Sequence, residues 1–512
     1  MQRRLTALLC LVGLLLNACP EPGRADTGSV FAVSGNRILK NGTEFVIHGI
    51  NVNGPGWQWD HKTAPDVDSI ARVWKFNLIR VNCSLKPRPG GKEANDLDEI
   101  TRAFTARGIV VLLDPHDHVG GYYQNPPVPA GSPSLADLIA WQKQMAARYK
   151  TNPYVWFEVM GGPGPREEKT GDRWHETHET VIKAIRQEAG ANNIIVCEGR
   201  NEGTEEIRSS TEPVPDAASA ILTYGPELSR LYPNLLYAFH VDGSWSPGGT
   251  DKLNDFMERV HARSLPLFVS EYGTIGWPDT TPATEAMLAV CKTRRVGRCA
   301  WHWSPEGARL GATDEKSGGW QVGTPDGSKP ADLSWLGDRV WDDNYGLTPL
   351  HGPLLDRLTW TASAFAIPTK DGGHYNKPDC AFSPWSLPDE YWTSDAQQEP
   401  GQWFQVDMGA KQKFSRLMLD PRSQAGDYPR GYEIYVSNDG MEWGKPIAQG
   451  KNEQSVLRVS FPTQNARYLK IVQTGKTWHH WTIANLEVYA PLGTGAGVLS
   501  PKPALRPATK PV

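Results

Sequence analysis

The chain has 512 residues, 39% hydrophobic and 21% charged, with a formal net charge of -4 at pH 7. That length accommodates two or three folded domains, and the composition is that of a globular protein rather than a disordered one. The small negative charge comes with no basic stripe, which excludes nucleic acid as an expected partner. The 20 Trp residues suit either large cores or stacking on the apolar C–H faces of sugars.

In chain order, the first feature is a leader. Arg3-Arg4 precedes an apolar run from Leu5 to Leu16, too short for a membrane span and placed as a secretory signal would be. The run ends in Leu16-Asn17-Ala18-Cys19, which is similar to a bacterial lipobox. Residues 1–19 are therefore expected to be a signal peptide of lipoprotein type, with Cys19 lipidated and the membrane reached only through that anchor. Plain secretion is the alternative, and both place the mature chain outside the cytoplasm. The other five Cys are Cys83, Cys197, Cys291, Cys299 and Cys380. They lack paired metal-ligand spacing, so zinc is not expected. Cys291 and Cys299 are close enough in sequence to leave a disulfide open.

Between about residues 30 and 345, short apolar runs alternate with amphipathic helical stretches. The runs are Phe45–Asn51, Asn77–Asn82, Ile109–Asp114, Tyr154–Met160, Ile194–Glu198, Leu235–His240, Pro266–Glu271 and Cys299–Trp303. Helical patterns such as Leu135–Tyr149 and Trp174–Ala189 lie between them. Eight such runs predict a TIM (β/α)8 barrel; a doubly wound sheet is the alternative, but the first run lacks its Gly-rich phosphate turn. Function in such barrels gathers at the C-terminal strand ends. Those ends carry Asn51, Arg80, Asn82, His116, Asp117, His118, His240, Asp242, Glu271, Trp301 and Trp303. The segment Gly307–Asn344 is expected to be a long loop or an irregular exit from the barrel.

From about residue 355 to 490 the periodicity changes to short alternating strands: Trp403–Val406, Tyr432–Ser437, Leu457–Phe461 and Arg467–Val472, with a turn signal at Asn438-Asp439-Gly440. This predicts an all-β sandwich. Residues 491–512 carry five prolines and no apolar period, and are expected to be a disordered tail.

The first domain resembles glycoside hydrolase family 5, the cellulase-like family. Gly49-Ile50-Asn51, Asn77-Leu78-Ile79-Arg80-Val81, Leu113-Asp114-Pro115-His116-Asp117, His240, Leu267-Phe268-Val269-Ser270-Glu271-Tyr272-Gly273 and Trp301 or Trp303 follow the family's landmarks in order. The resemblance implies an extracytoplasmic retaining hydrolase of a β-linked polysaccharide, with Glu271 as nucleophile. Asn51, Arg80, His116, Asp117, His240, Asp242, Trp301 and Trp303 would bind substrate. Arg80 would keep Glu271 ionised. A retaining mechanism also needs an acid/base carboxyl about 5–5.5 Å from the nucleophile. The family carries it in an Asn-Glu-Pro at the end of the fourth strand, and here that segment reads Gly161-Gly162-Pro163. Gly162 holds the place of the absent acid/base. Candidate replacements are Glu167, Glu168, Glu202, Asp117 and Asp242, with Glu158 expected to be structural. A non-catalytic carbohydrate-binding protein is the alternative function.

The second domain resembles the discoidin-like coagulation factor 5/8 type C fold, also known as carbohydrate-binding module family 32, a jelly-roll sandwich. The resemblance rests on Pro400–Gly409, Asp427–Tyr432, Tyr435–Trp443, Ala466–Leu469 and Trp481–Ala484. Trp385, Trp392 and Trp478 would stack sugar or fill the core. No cofactor is expected to be required. Members often hold a structural calcium, but the usual Asp-Gly loop is replaced near Phe382-Ser383-Pro384-Trp385.

Overall fold

The structure is a computed structural model and describes residues 30–54, 67–86, 95–166, 168, 170–206, 210–273, 280–303, 329, 335–346, 355, 357, 359–367, 377–382, 391–421, 424 and 426–491. The leader with Cys19, most of Gly307–Asn344, Glu167, Trp385 and the tail beyond Pro491 lie outside them.

Eight parallel strands close into a barrel. They are β4 (His48–Asn53), β5 (Leu78–Cys83), β6 (Val110–Pro115), β7 (Val155–Glu158), β8 (Ile195–Glu198), β9 (Leu235–Val241), β10 (Leu267–Tyr272) and β11 (Gly297–Trp303), with β11 pairing β4. Seven of the eight sit within two residues of the apolar runs at both ends. The expected run Phe45–Asn51 starts earlier, because Phe45 follows a small antiparallel sheet of β1 (Phe31–Ser34), β2 (Arg37–Lys40) and β3 (Thr43–Glu44) and donates its N–H to the Ile38 carbonyl. That sheet plugs the N-terminal mouth: Phe31 meets Phe45, Tyr154 and Trp156 edge-on at 5.2 Å each. The opposite mouth is left for the site.

The crossover helices bury their apolar faces on the outside of the strands. The helix Leu135–Tyr149 has the expected bounds. Its start is fixed by a capping box, in which Ser134 Oγ accepts from Asp137 N and the Asp137 carboxylate accepts from Ser134 N. The last ten residues of Gly307–Asn344, expected as loop, form a helix, Trp335–Asn344. Leu336, Val340 and Trp341 give it an apolar stripe, and the Trp341 ring packs edge-on against Trp74 at 5.3 Å.

The C-terminal sheet runs β12 (Thr361–Ala364), β14 (Gln402–Asp420), β17 (Leu457–Gln473), β15 (Gly431–Ser437), β16 (Ala448–Lys451), with β19 (Asn485–Tyr489) also on β14. A two-stranded sheet of β13 (Trp392–Thr393) and β18 (Thr482–Ile483) lies apart. Trp392, Phe404, Leu417, Leu469, Ile471 and Trp481 fill the core between them. The runs Leu457–Phe461 and Arg467–Val472 are one continuous strand. The Asn438-Asp439-Gly440 turn forms as expected: Asp439 Oδ1 accepts from Met441 N and Glu442 N, and Gly440 takes a φ of 75°.

Candidate active site

Every barrel strand contributes to one polar floor, and Arg80 on β5 is its centre. Arg80 Nε and Nη2 donate to both oxygens of Glu158 on β7, at 2.7 and 2.9 Å. Nη2 also meets Asp114 Oδ2 on β6 at 3.0 Å and Glu198 Oε1 on β8 at 3.3 Å. Nη1 donates to Asn51 Oδ1 on β4 at 3.0 Å and to Glu271 Oε1 on β10 at 2.6 Å. Asn51 Nδ2 closes the ring by donating to the carbonyls of Ser270 and Ala300. His240 Nε2 on β9 lies 2.8 Å from Glu198 and 3.4 Å from Glu271.

A bulge in β10 between Val269 and Glu271 breaks the strand's alternation, so adjacent residues both face inward. Ser270 Oγ donates to Glu198 at 2.5 Å while Glu271 reaches Arg80. Of the four carboxylates around Arg80, Asp114, Glu158 and Glu198 are fully enclosed; Glu271 is 12% exposed. Glu271 is thus the carboxylate of this set that reaches the surface of the groove.

The charges of the floor are strongly interdependent. Burial disfavours the Arg80 cation, but Asp114, Glu158, Glu198 and Glu271 together hold it protonated well beyond its ordinary range. Burial pushes the Glu158 carboxyl well up, and Glu198 and Asp114 add to the rise against the pull of Arg80. Burial would raise Glu198 too, yet His240, Arg80 and the hydroxyl of Ser270 hold it far below the usual carboxylate range. His240 moves up, because Glu198 and Glu271 outweigh its burial. A proton in this floor therefore resides on His240 and Glu158 before it resides on Glu198.

The wall at the end of β7 is closed in backbone as well as in side chain. Gly162 has a φ of 54°, and a Cβ there would lie 2.8 Å from Val119 Cγ1. A Cβ on Gly161 would lie 2.6 Å from both Asp114 Oδ1 and His116 Nδ1. The backbone is tied down on three sides. Gly161 N donates to the Pro115 carbonyl, Gly162 N to Glu198 Oε2 at 2.5 Å, and Gly120 N to the Gly162 carbonyl.

The expected site residues divide by depth. His116 lies at the groove, 12% exposed, with Nδ1 2.7 Å from Asp114 Oδ2 and its ring 5.9 Å from Trp301 in a stacked arrangement. His240 and Glu271 lie beside it in the floor. Asn51 and Arg80, expected to bind substrate, are fully buried and can act on a ligand only through Glu271. Trp303 is corrected outright: it is 1% exposed with its ring edge-on to Trp74 at 6.3 Å, so it belongs to the core behind the barrel.

Asp117 and Asp242 serve the rim rather than the floor. Asp117 accepts from Ser84 Oγ and Leu85 N. Asp242 caps the turn at Ser244 and pairs with Arg166, which also binds Glu202. Glu168 accepts from the Tyr122 hydroxyl at 2.7 Å, and burial raises its carboxyl. Glu198 was not among the expected residues. Its signal was present in sequence, since Phe157-Glu158, Cys197-Glu198 and Ser270-Glu271 each close an apolar run with Glu.

Elsewhere, Cys83, Cys197, Cys291 and Cys299 are buried free thiols, so Cys291 and Cys299 are not bridged, and Cys380 is buried. In the C-terminal domain Trp392 is core, whereas Trp478 is 73% exposed and stacks on His479 at 3.8 Å. The loop on which a calcium would depend, residues 383–390, lies outside the described residues.

Residues 38–307 match the family model described as cellulase (glycosyl hydrolase family 5), and residues 362–487 match the F5/8 type C domain. A mannan endo-1,4-beta-mannosidase of Streptomyces lividans is 24% identical over 317 residues, spanning 60% of this chain and 75% of that protein. Endoglucanase E-5 of Thermobifida fusca is 22% identical over 311 residues, spanning 56% of this chain and 60% of its own length. Among solved structures, the catalytic domain of a mannanase from Streptomyces sp. SirexAA-E shares 20% identity at a TM-score of 0.48, covering 65% of this chain and 96% of that one.

Proposed function

The chain belongs to glycosyl hydrolase family 5, and from that membership we propose that it acts on the O-glycosyl bonds of a β-linked polysaccharide, with the Glu271 carboxylate attacking the anomeric carbon. One observation carries this reading. Glu271 is the groove-facing member of the carboxylate set, and it is aimed by Arg80 at 2.6 Å and flanked by His240 at 3.4 Å. The cation and the bulged strand fix its direction, which is the pre-organisation that a nucleophile requires. Trp301, beside His116, offers an apolar face for a sugar ring. The F5/8 type C domain would hold the same polymer near the groove. The names of the mannosidase and endoglucanase relatives make β-mannans and β-glucans the first ligands to try.

The leaving-group proton cannot come from position 162. The test therefore uses a leaving group that needs none. Wild type mixed with 2,4-dinitrophenyl β-cellobioside or β-mannobioside should release a burst of dinitrophenolate and carry a glycosyl ester on Glu271, detected by mass spectrometry. Glu271→Gln should give neither. Absence of both burst and ester with wild type on either sugar overturns the reading.

A second reading, a glycan receptor that does not cut, is favoured by the closed Gly161-Gly162 wall. It predicts saturable polysaccharide binding with no burst. We also read residues 1–19 as an export leader with Cys19 as lipid anchor. Labelled palmitate should enter the wild type but not Cys19→Ala.

A further inference from the structure

We infer that the F5/8 type C domain is a fixed buttress of the barrel rather than a tethered module, and that the two unfold as one unit through the helix Trp335–Asn344. The inference stands apart from the Glu271 reading and concerns a different face of the molecule.

It begins in the alternation of two strands. On β14, Leu417 and Leu419 belong to the core of the second domain, and on β19 so do Leu486 and Val488. Their neighbours Met418, Glu487 and Tyr489 therefore face the other side of the sheet. In a free-standing antiparallel sandwich that side commonly meets water and is polar. Here Met418, Glu487 and Tyr489 are all buried. Met418, Tyr489 and Val456, which directly precedes β17, share one continuous core with Leu336, Val340 and Trp341 of the helix and with the barrel strands. They do not join the core of their own domain.

Charge marks the same seam. Arg339 of the helix is buried, pairs with Glu285 of the helix Thr281–Arg294 at 2.6 Å, and lies 5.6 Å from the Tyr489 ring centroid. Arg416 of β14 lies 6.0 Å from the same ring. The Tyr489 ring thus meets one cation from the barrel and one from its own sheet.

The helix is also bolted to the strands that close the barrel, β11 and β4. Asp343 accepts from Arg298 Nε of β11 at 2.6 Å. Asn344 Nδ2 donates to the Trp74 carbonyl at 2.8 Å, and Asn344 Oδ1 lies 3.1 Å from His48 Nδ1 of β4. Trp341 packs on Trp74, whose ring meets Trp303 of β11. Trp301, the candidate sugar platform, stands on that same strand. One helix therefore touches both the strand of the platform and the second domain.

Domains joined by small, polar contacts move against each other by default, whereas a shared apolar core joins them rigidly. Parting the two here would bare Met418, Val456, Tyr489 and the stripe of the helix, and would expose the Arg339–Tyr489 contact to water. The stability of each part is therefore tied to the other. A ligand held by the second domain would sit at one fixed distance and angle from the groove, and its binding would stabilise the barrel as well.

The test needs no ligand. Calorimetry of the whole chain should give a single transition with equal calorimetric and van't Hoff enthalpies. Two resolved transitions overturn the proposal. Hydrogen exchange then compares wild type with Tyr489→Ala. Amides of Trp335–Asn344 and of β11 should lose protection by at least about 100-fold, the scale set by truncating a buried aromatic ring. A loss confined to β14, β17 and β19 overturns the proposal. If Tyr489→Ala does not fold, Val456→Ala is read in the same way, with a smaller loss in the same amides. Met441→Ala, at an exposed turn of the second domain, should leave them as in wild type. Turnover enters none of these readouts, so their failure leaves the Glu271 reading intact, and a missing dinitrophenolate burst leaves this proposal intact.

Discussion

Putting the family's side chains back at the end of β7 should not restore activity. The perturbation is Gly161→Asn together with Gly162→Glu. At position 162 the backbone has a φ of 54°, and a residue with a Cβ pays about 1–2 kcal/mol to adopt that left-handed conformation. Its Cβ would also lie 2.8 Å from Val119 Cγ1, and that at position 161 2.6 Å from Asp114 Oδ1 and His116 Nδ1. Val119 is 49% exposed and can move aside, whereas the overlap at position 161 lies among nearly enclosed groups and adds roughly 1–3 kcal/mol of overpacking, for a total of roughly 2–5 kcal/mol. That is a large share of the 5–15 kcal/mol typical of a folded protein. At about 2–4 °C per kcal/mol for a domain of this class, the barrel transition in calorimetry should drop by at least about 4 °C, and reducing-end release from β-mannan or β-glucan should not rise. A double variant that melts within about 2 °C of wild type, or that cuts either polymer ten times faster, would refute the steric argument.

Arg80→Met removes the one cation shared by four carboxylates. Stranding buried charge costs about 3–5 kcal/mol, so calorimetry should show a severely destabilised barrel, whereas Glu271→Gln, at a partly exposed position, should melt near wild type. Trp301→Ala should weaken binding of soluble β-glycan by about 5–10-fold, corresponding to about 1 kcal/mol for a lost aromatic face, and Trp303→Phe should leave affinity electrophoresis unmoved. Stability should also decline on both sides of mildly acidic pH. Burial raises Glu205 to about 7, so its contribution is complete below the unfolded carboxyl value near 4.5 and is lost as pH rises through about 7; Glu205→Gln should flatten that limb of the denaturation–pH curve. Burial lowers His178 to about 3, so its contribution is complete above about 6.5 and is lost as pH falls toward 3.

The barrel was legible because its strands are dense apolar runs whose ends turn polar, and a closed parallel sheet leaves little choice of register. Depth was not legible. Asn51 ends its apolar run just as Glu271 does yet lies one layer lower, and Arg80 stands two residues before the end of its run at Asn82. Bulges hid the rest. Trp301 and Trp303 are two apart and should share a face, but β11 shifts register between Ala300 and Trp303, and Trp303 turns outward to Trp74. The β10 bulge likewise brings Ser270 inward beside Glu271, a pairing that simple alternation forbids. Helix Trp335–Asn344 was missed because its apolar stripe is only three residues deep, within a segment rich in Gly and Asp.

The retained floor has two parts that answer to different demands. Arg80, Asp114, Glu158 and Glu198 are buried together, and removing any one strands the others, so the fold alone is enough to require them. Their presence says nothing about turnover. Glu271 and His116 are different. Each is bound to one member of the buried cluster on its inner side and is partly open on the other, and neither is needed to neutralise Arg80, which already has three enclosed carboxylates. A chain that needed only to fold could place a neutral side chain at either position at little cost. It instead adds a fourth carboxylate, Glu271, to a crowded negative cluster, which raises the electrostatic cost of the floor. Glu271 is therefore the carboxylate of the floor that the fold does not demand.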